Sequence, residues 1–100
     1  VMTNTEPRFV FAYNPYDDDM QRMHTAQVIE PTLTHAWYKA TASCCKRGGT
    51  IVDVGGNYGW YTLYSLALGC RVVVIEPVPA YQEVMQLGLA LNPGFSERTT

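Results

Sequence analysis

The residues with the clearest chemical purpose lie in one short stretch, Asp53-Val54-Gly55-Gly56-Asn57-Tyr58-Gly59. Gly55, Gly56 and Gly59 let backbone approach a ligand where a Cβ would collide, and they allow positive φ where a turn needs it. The stretch leads into a helix-length segment whose free N–H groups could meet a ligand carboxylate or phosphate. A second acid, Glu76, closes another apolar run about twenty residues after the glycines. Ligands of open α/β sheets bind outside the carboxyl ends of the strands, where such an acid can accept hydrogen bonds from both ribose hydroxyls. Helix capping would explain one of these carboxylates; two at this spacing are better explained by a nucleoside ligand.

The glycine spacing bears on which nucleoside. The dinucleotide fingerprint G-x-G-x-x-G does not fit, which disfavours a nicotinamide-binding oxidoreductase. What fits is acidic-x-Gly-x-x-x-Gly, carried by Asp53, Gly55 and Gly59. A carboxylate ahead of the glycines repels a pyrophosphate but suits a ligand with an ammonium or sulfonium group. In a partly buried site that sign difference amounts to several kcal/mol at an effective dielectric of about 20. The charge pattern therefore favours S-adenosylmethionine over NAD.

These residues need elements to hold them. Thr50-Ile51-Val52-Asp53-Val54 and Arg71-Val72-Val73-Val74-Ile75-Glu76 are continuous β-branched runs, the pattern of parallel strands buried on both faces. Between them, Trp60 to Leu68 is apolar nearly all round and ends at Gly69, which makes a β-loop-α-β unit. Pro31 starts an earlier helix, whose predicted buried stripe is Leu33, Ala36, Trp37, Ala40, Thr41 and Cys44, with Gly48-Gly49 as its stop. A later helix over Ala80 to Leu91 is expected to bury Ala80, Val84, Leu87 and Leu91, with Gly88 weakening it slightly. Residues 1 to 8 read as loose, Phe9 to Tyr13 as a short strand, and Phe95 to Thr100 as the entrance to a third core strand. Asp17, Asp18 and Asp19 read as a solvated turn or helix start.

Several residues that tempt a functional reading have plainer ones. Trp60, Tyr61 and Tyr64 belong to a helix that must be buried, so packing is expected of them. Tyr58, inside the loop, is the best aromatic candidate for ligand contact. Asn57 favours the turn through its side-chain hydrogen bonding. Glu30 precedes a helix-starting proline, reads as a cap and is left outside the site. His24 and His35 are expected to be structural or exposed. Cys44, Cys45 and Cys70 are odd in number and contain no C-x-x-C, so reduced thiols are expected.

Composition bounds the rest. One hundred residues, 47% hydrophobic and 16% charged, describe a packed chain rather than a disordered one. A net charge of −2 gives no footprint for nucleic acid or an anionic membrane. The apolar stretch from Tyr58 to Cys70 is too short and too rich in Tyr, Thr, Ser and Gly to span a bilayer. The first residues show no basic segment leading into an apolar one.

The string Val52 to Leu63 resembles motif I of the FkbM family of class I methyltransferases, and Val74-Ile75-Glu76-Pro77-Val78-Pro79 resembles that family's second motif. Leu89-Ala90-Leu91-Asn92 is similar to the end of the following helix, and Glu30-Pro31 to the lead-in. The likeness spans roughly residues 25 to 95, leaving 1–24 as an N-terminal lead-in and 25–100 as the first portion of a methyltransferase domain. It implies a Rossmann-like α/β fold, the N-terminal part of a doubly wound parallel sheet, incomplete here because the family's first strand also pairs with its fourth. It implies that Asp53, Gly55, Asn57 and Gly59 surround the methionine portion of S-adenosylmethionine. Glu76 would bind the ribose hydroxyls, and Pro77-Val78 would flank the adenine. Gly56 stands where relatives often have Ala, a small-for-small change. The implied reaction is methyl transfer to a hydroxyl of a small molecule or glycan. No general base for it is visible, so no catalytic residue is assigned. A relative that binds cofactor or partner without catalysis is the alternative. Strands this apolar with so few neighbours predict a segment that is marginal or self-associating by itself.

Overall fold

The computed structural model describes residues 1–100. In chain order the elements are a 3-10 turn at Asp18–Met20, helices α1 (Arg22–Thr25) and α2 (Pro31–Lys46), strand β1 (Thr50–Val54), helix α3 (Trp60–Ala67), strand β2 (Arg71–Ile75), helix α4 (Pro79–Leu91) and a 3-10 turn at Ser96–Arg98. The β-branched runs pair in parallel, with Ile51 opposite Val72 and Asp53 opposite Val74. Parallel neighbours require a long crossover, which α3 supplies. On the far side of β2, Thr99 bridges Val72 in parallel, and the Val74 N–H donates to the Thr100 carbonyl at 3.0 Å. Thr99 and Thr100 thus run beside β2 in parallel, through a single bridge. The architecture is α/β, with a two-stranded parallel sheet and helices on one side of it.

That one-sidedness corrects the expectation of strands buried on both faces. Val72 is buried, and Ile51 and Val74 pack on the core, so the face carrying these residues and Asp53 is covered. The opposite face is bare: Val52, Val54 and Ile75 are 60%, 74% and 52% exposed. The reason is topological. Helix α3 packs on both strands and against α2, and α4 reaches the same side through Met85, so no helix is left for the other face.

The lead-in is not loose. The Thr3 N–H donates to the Phe9 carbonyl at 2.9 Å, and the Phe11 N–H to the Val1 carbonyl at 2.8 Å. Phe9 to Tyr13 is extended, with a single antiparallel bridge from Val10 to Met2, rather than a strand of the sheet. The Asn92 carboxamide holds Val10 at both its N–H and its carbonyl, at 2.9 and 2.8 Å. Phe9 and Phe11 place their rings 5.2 Å from Trp60, and with Met20 and Met23 they enter the same core as Leu63, Leu66 and Val72. Burying a phenylalanine contributes about 1.5–3 kcal/mol, which outweighs the polar character of residues 1–8.

Each flanking helix buries a face that only partly matches the one predicted: Thr41 is buried as expected, and Trp37 and Val84 pack on the core. In α2 the buried residues are Thr34, Thr41 and Cys45, while Leu33 is exposed. The threonines can turn inward because each hydroxyl donates to a backbone carbonyl, Thr34 to Ile29 at 2.6 Å and Thr41 to Trp37 at 2.8 Å. In α4, Met85 and Gly88 are buried, and Leu87 and Leu91 are exposed. A Cβ on Gly88 would lie 3.0 Å from Leu63 Cδ1, so the glycine lets α4 approach α3 closely.

The cysteines also differ from expectation. Cys45 and Cys70 form a disulfide, their Cα atoms 4.1 Å apart, and Cys44 alone is a free thiol. Packing α2 on α3 brings the last turn of α2 beside the residue preceding β2. A bridge across a separation of 25 residues disfavours the unfolded chain by about 3–4 kcal/mol on a loop-entropy basis. No helix is long and apolar enough to cross a membrane.

Candidate functional site

The site forms where β1 and β2 end. Beyond Val54 the loop hangs on the second strand, because the N–H groups of Gly55 and Gly56 both donate to the Ile75 carbonyl, at 2.7 and 3.2 Å. Gly55 has φ +76 and Gly59 φ +93. Asn57 is also left-handed, with φ 55, and its Oδ1 accepts from the Tyr58 N–H at 2.8 Å. Beyond its immediate chain neighbours, no atom lies within 4 Å of the position a Cβ on Gly55 would take, so that side of the loop is open. Gly56 and Gly59 serve packing instead. A Cβ on Gly56 would stand 2.5 Å from Val74 Cγ2, and one on Gly59 2.7 Å from Met85 Cγ. Alanine at position 56 is therefore not the neutral exchange that the comparison of small residues implies.

The two carboxylates are held differently. Asp53 accepts from the Thr62 hydroxyl through Oδ2 at 2.6 Å, which ties it to the first turns of α3. Glu76 accepts from the Asn57 N–H through Oε1 at 2.7 Å and from the Val78 N–H through Oε2 at 2.9 Å. The Gln82 side chain also donates to the Glu76 carbonyl. Each carboxylate oxygen keeps a lone-pair site beyond these bonds. Glu76 is thus a brace between the two strand ends as well as a candidate acceptor for hydroxyls.

A cleft of about 260 Å³ lies over the loop, and Asp53, Gly55, Gly56, Asn57 and Tyr58 line it. Its other wall comes from Phe11 and Met20 of the lead-in and from Ile29 and Glu30 just ahead of α2, with Trp60 and Tyr61 between the two. Glu76 does not reach this cleft. It lines a separate hollow of about 240 Å³ with Gln82, Met85, Thr99 and Thr100. Gly59, Pro77 and Val78 line neither. The largest hollow, about 360 Å³, lies between the lead-in and α2 and includes Glu6, His35 and Tyr38. It shares no residue with the glycine loop, so the smaller cleft is the chemically informative one.

The aromatic residues act mainly as structure. Trp60 is buried and its indole N–H donates to the Thr34 hydroxyl at 2.9 Å. Tyr64 donates to the Glu6 carbonyl at 3.0 Å. Tyr58 meets Tyr81 of α4 edge-on, 5.0 Å between ring centres, and its hydroxyl donates to Asp17 Oδ2 at 2.9 Å. Burial first, and then the neighbouring Asp17, push its phenol up to about 12. Burial also lifts Tyr61 to about 12; a Thr34 hydroxyl contact works the other way, and Glu30 and Asp53 add to the rise. One residue was missed by sequence reasoning. Glu30 makes no side-chain cap on α2; its Oε1 accepts from the Tyr61 hydroxyl at 3.1 Å, and it lines the cleft beside Asp53. Nothing in its local sequence separates this from a cap, because the partner is 31 residues away.

With protein-family models, curated proteins and solved structures alike, the chain has no match. The functional reading therefore rests on the residues and their geometry.

Proposed function

We propose that the chain binds S-adenosylmethionine over the Asp53–Gly59 loop and belongs to a Rossmann-like, class I methyltransferase of the FkbM type. The observation that carries this reading is the charge of the cleft. Eleven residues line it, two of them carboxylates and none of them Lys, Arg or His. Such a lining opposes a pyrophosphate and favours a cationic ligand. The parallel β-loop-α-β unit and the open side of Gly55 support the same reading, as does the acid at the end of β2. The volume supports it in part: about 260 Å³ falls below the roughly 300–1,000 Å³ of whole ligand pockets. The cleft thus suits the amino-acid portion of the cofactor, with the ribose directed toward Glu76.

The bound cofactor would supply an electrophilic methyl group for in-line transfer to a hydroxyl of a small molecule or glycan. The chain's own contribution is positioning, from which most of the acceleration of such displacements comes. Asp53, fixed by Thr62, would hold positive charge at the loop. Phe11, Met20 and Tyr58 would keep water from the cleft wall. Calorimetry of the full chain with S-adenosylmethionine, S-adenosylhomocysteine and NAD tests the reading. The two adenosyl amino acids should bind at least about tenfold more tightly than NAD, a difference of about 1.4 kcal/mol. Preferential binding of NAD, or no binding of either adenosyl compound, overturns it.

A further inference from the structure

Glu30 combines three observations that its neighbours do not. It lines the cleft opposite the glycine loop, just ahead of α2. Its side chain is not spent on capping α2, although it occupies the N-cap position. Its Oε1 accepts from the Tyr61 hydroxyl at 3.1 Å, and the Tyr61 ring lies 4.9 Å from that of Trp37, so the exposed carboxylate has one anchor toward the cleft. Only that one oxygen has a partner within the chain, which leaves Oε2 available.

The cleft's charge balance gives this arrangement a purpose. Asp53 and Glu30 line the same cleft, Asp53 from the loop and Glu30 from the facing wall, where it accepts from the Tyr61 hydroxyl. With no Lys, Arg or His in the lining, nothing in the chain neutralises them there. The amino-acid end of S-adenosylmethionine carries two cationic centres, the sulfonium and the α-ammonium. Asp53 lies at the base of the loop and can serve only one of them closely. An ammonium is also a three-fold hydrogen-bond donor, and it needs acceptors from more than one direction.

We propose that Glu30 is a ligand-binding residue of this cleft, receiving the α-ammonium of the cofactor's amino-acid portion from the wall facing the glycine loop. This rests on the reading of the cleft as an S-adenosylmethionine site and extends it to a residue outside the glycine loop. It makes the segment just ahead of α2 part of the binding site, and it sets the ligand class: adenosyl compounds that carry an amino-acid tail, in preference to those that lack one.

The test compares three ligands on the full chain by calorimetry. S-adenosylmethionine has sulfonium and ammonium, S-adenosylhomocysteine has the ammonium alone, and 5′-methylthioadenosine has neither. Glu30→Gln keeps the shape and removes the charge. It should weaken the first two ligands about tenfold and leave methylthioadenosine unchanged, which also shows that the variant's nucleoside site is intact. Tyr61→Phe retains the carboxylate but releases it, and should weaken the two amino-acid ligands by about two- to threefold, again sparing methylthioadenosine. Unchanged S-adenosylmethionine affinity in Glu30→Gln overturns the assignment while leaving the site itself standing. Equal weakening of all three ligands overturns it too, since Glu30 would then only shape the cleft. Failure of the unmodified chain to bind any of the three removes the cofactor reading and this inference together.

Discussion

The two strands carry an acid near their ends, Asp53 next to last in β1 and Glu76 just beyond β2, yet the two ends behave differently. At the end of β1, Asp53 leans on one hydroxyl of α3 and faces a cleft. At the end of β2, Glu76 spends an oxygen on each of two backbone N–H groups and turns to a different hollow. The first end opens on the cleft; the second braces the loop that the first end begins. The lesson is that an acid at a strand terminus is read by what its oxygens already accept. A carboxylate bonded to backbone amides shapes a site even where it also contacts the ligand.

Four substitutions sharpen or break that contrast. The largest effect belongs to Gly59→Ala. It forces a side chain into φ +93 and sets a Cβ 2.7 Å from Met85 Cγ. A loss of about 3 kcal/mol is expected, read as a lower urea midpoint at constant slope. A loss below about 0.5 kcal/mol would mean that the loop does not depend on α4.

Next comes Glu76→Gln. Replacing the carboxylate leaves one of two backbone N–H groups without an acceptor and weakens the bond to the other. A cost of about 2 kcal/mol in stability should follow, visible even without ligand. If stability is unchanged and only ligand affinity falls, Glu76 is a ligand contact and not a brace. Asp53→Asn should give the converse result. The amide can still accept from Thr62, so unfolding should move little, whereas S-adenosylmethionine should bind about tenfold more weakly, a change of about 1.4 kcal/mol. Equal effects of Asp53→Asn on folding and binding would erase the distinction between the two ends.

The smallest effect concerns the lead-in's tie to the loop. Tyr58→Phe removes the bond to Asp17, with an expected loss of about 1 kcal/mol at neutral pH. The Tyr58 phenol is raised in the folded chain from 10.0 to about 12, so the neutral form is the one folding favours. Its contribution is complete below pH 10 and is lost as pH rises through about 12. Stability measured between those values should therefore fall with pH, and less steeply in Tyr58→Phe. Part of the slope should persist, because Tyr61 is raised in the same direction.

How much of this was legible in the chain depended on range. The sheet and its crossover were readable because β-branched runs and Gly69 act locally, and β1, α3 and β2 lie within about a residue of where the pattern puts them. The inward faces of α2 and α4 were readable only in part. Periodicity places Thr41 inward correctly but also assigns burial to Leu33 and Leu87, whereas Thr34 goes inward with its hydroxyl satisfied and Gly88 goes inward because Leu63 comes close. The contents of the cleft were half readable. The glycine loop announces itself in sequence, but its facing wall comes from Phe11, Met20 and Glu30, whose placement is set by long-range packing on Trp60 and Tyr61. The pairing of Cys45 with Cys70 belongs to the same class, a contact created by the helix arrangement and marked by no spacing rule.

That disulfide encloses a ring. β1, the glycine loop and α3 all lie between Cys45 and Cys70, so the glycine loop sits on a closed covalent circle set into an otherwise linear chain. Tension applied to the two ends passes across the sulfur bridge and bypasses the circle, leaving the loop unloaded while the flanks stretch. A single protease nick inside the circle, at the exposed Asn57 for instance, would open it without releasing either piece until a reductant is added.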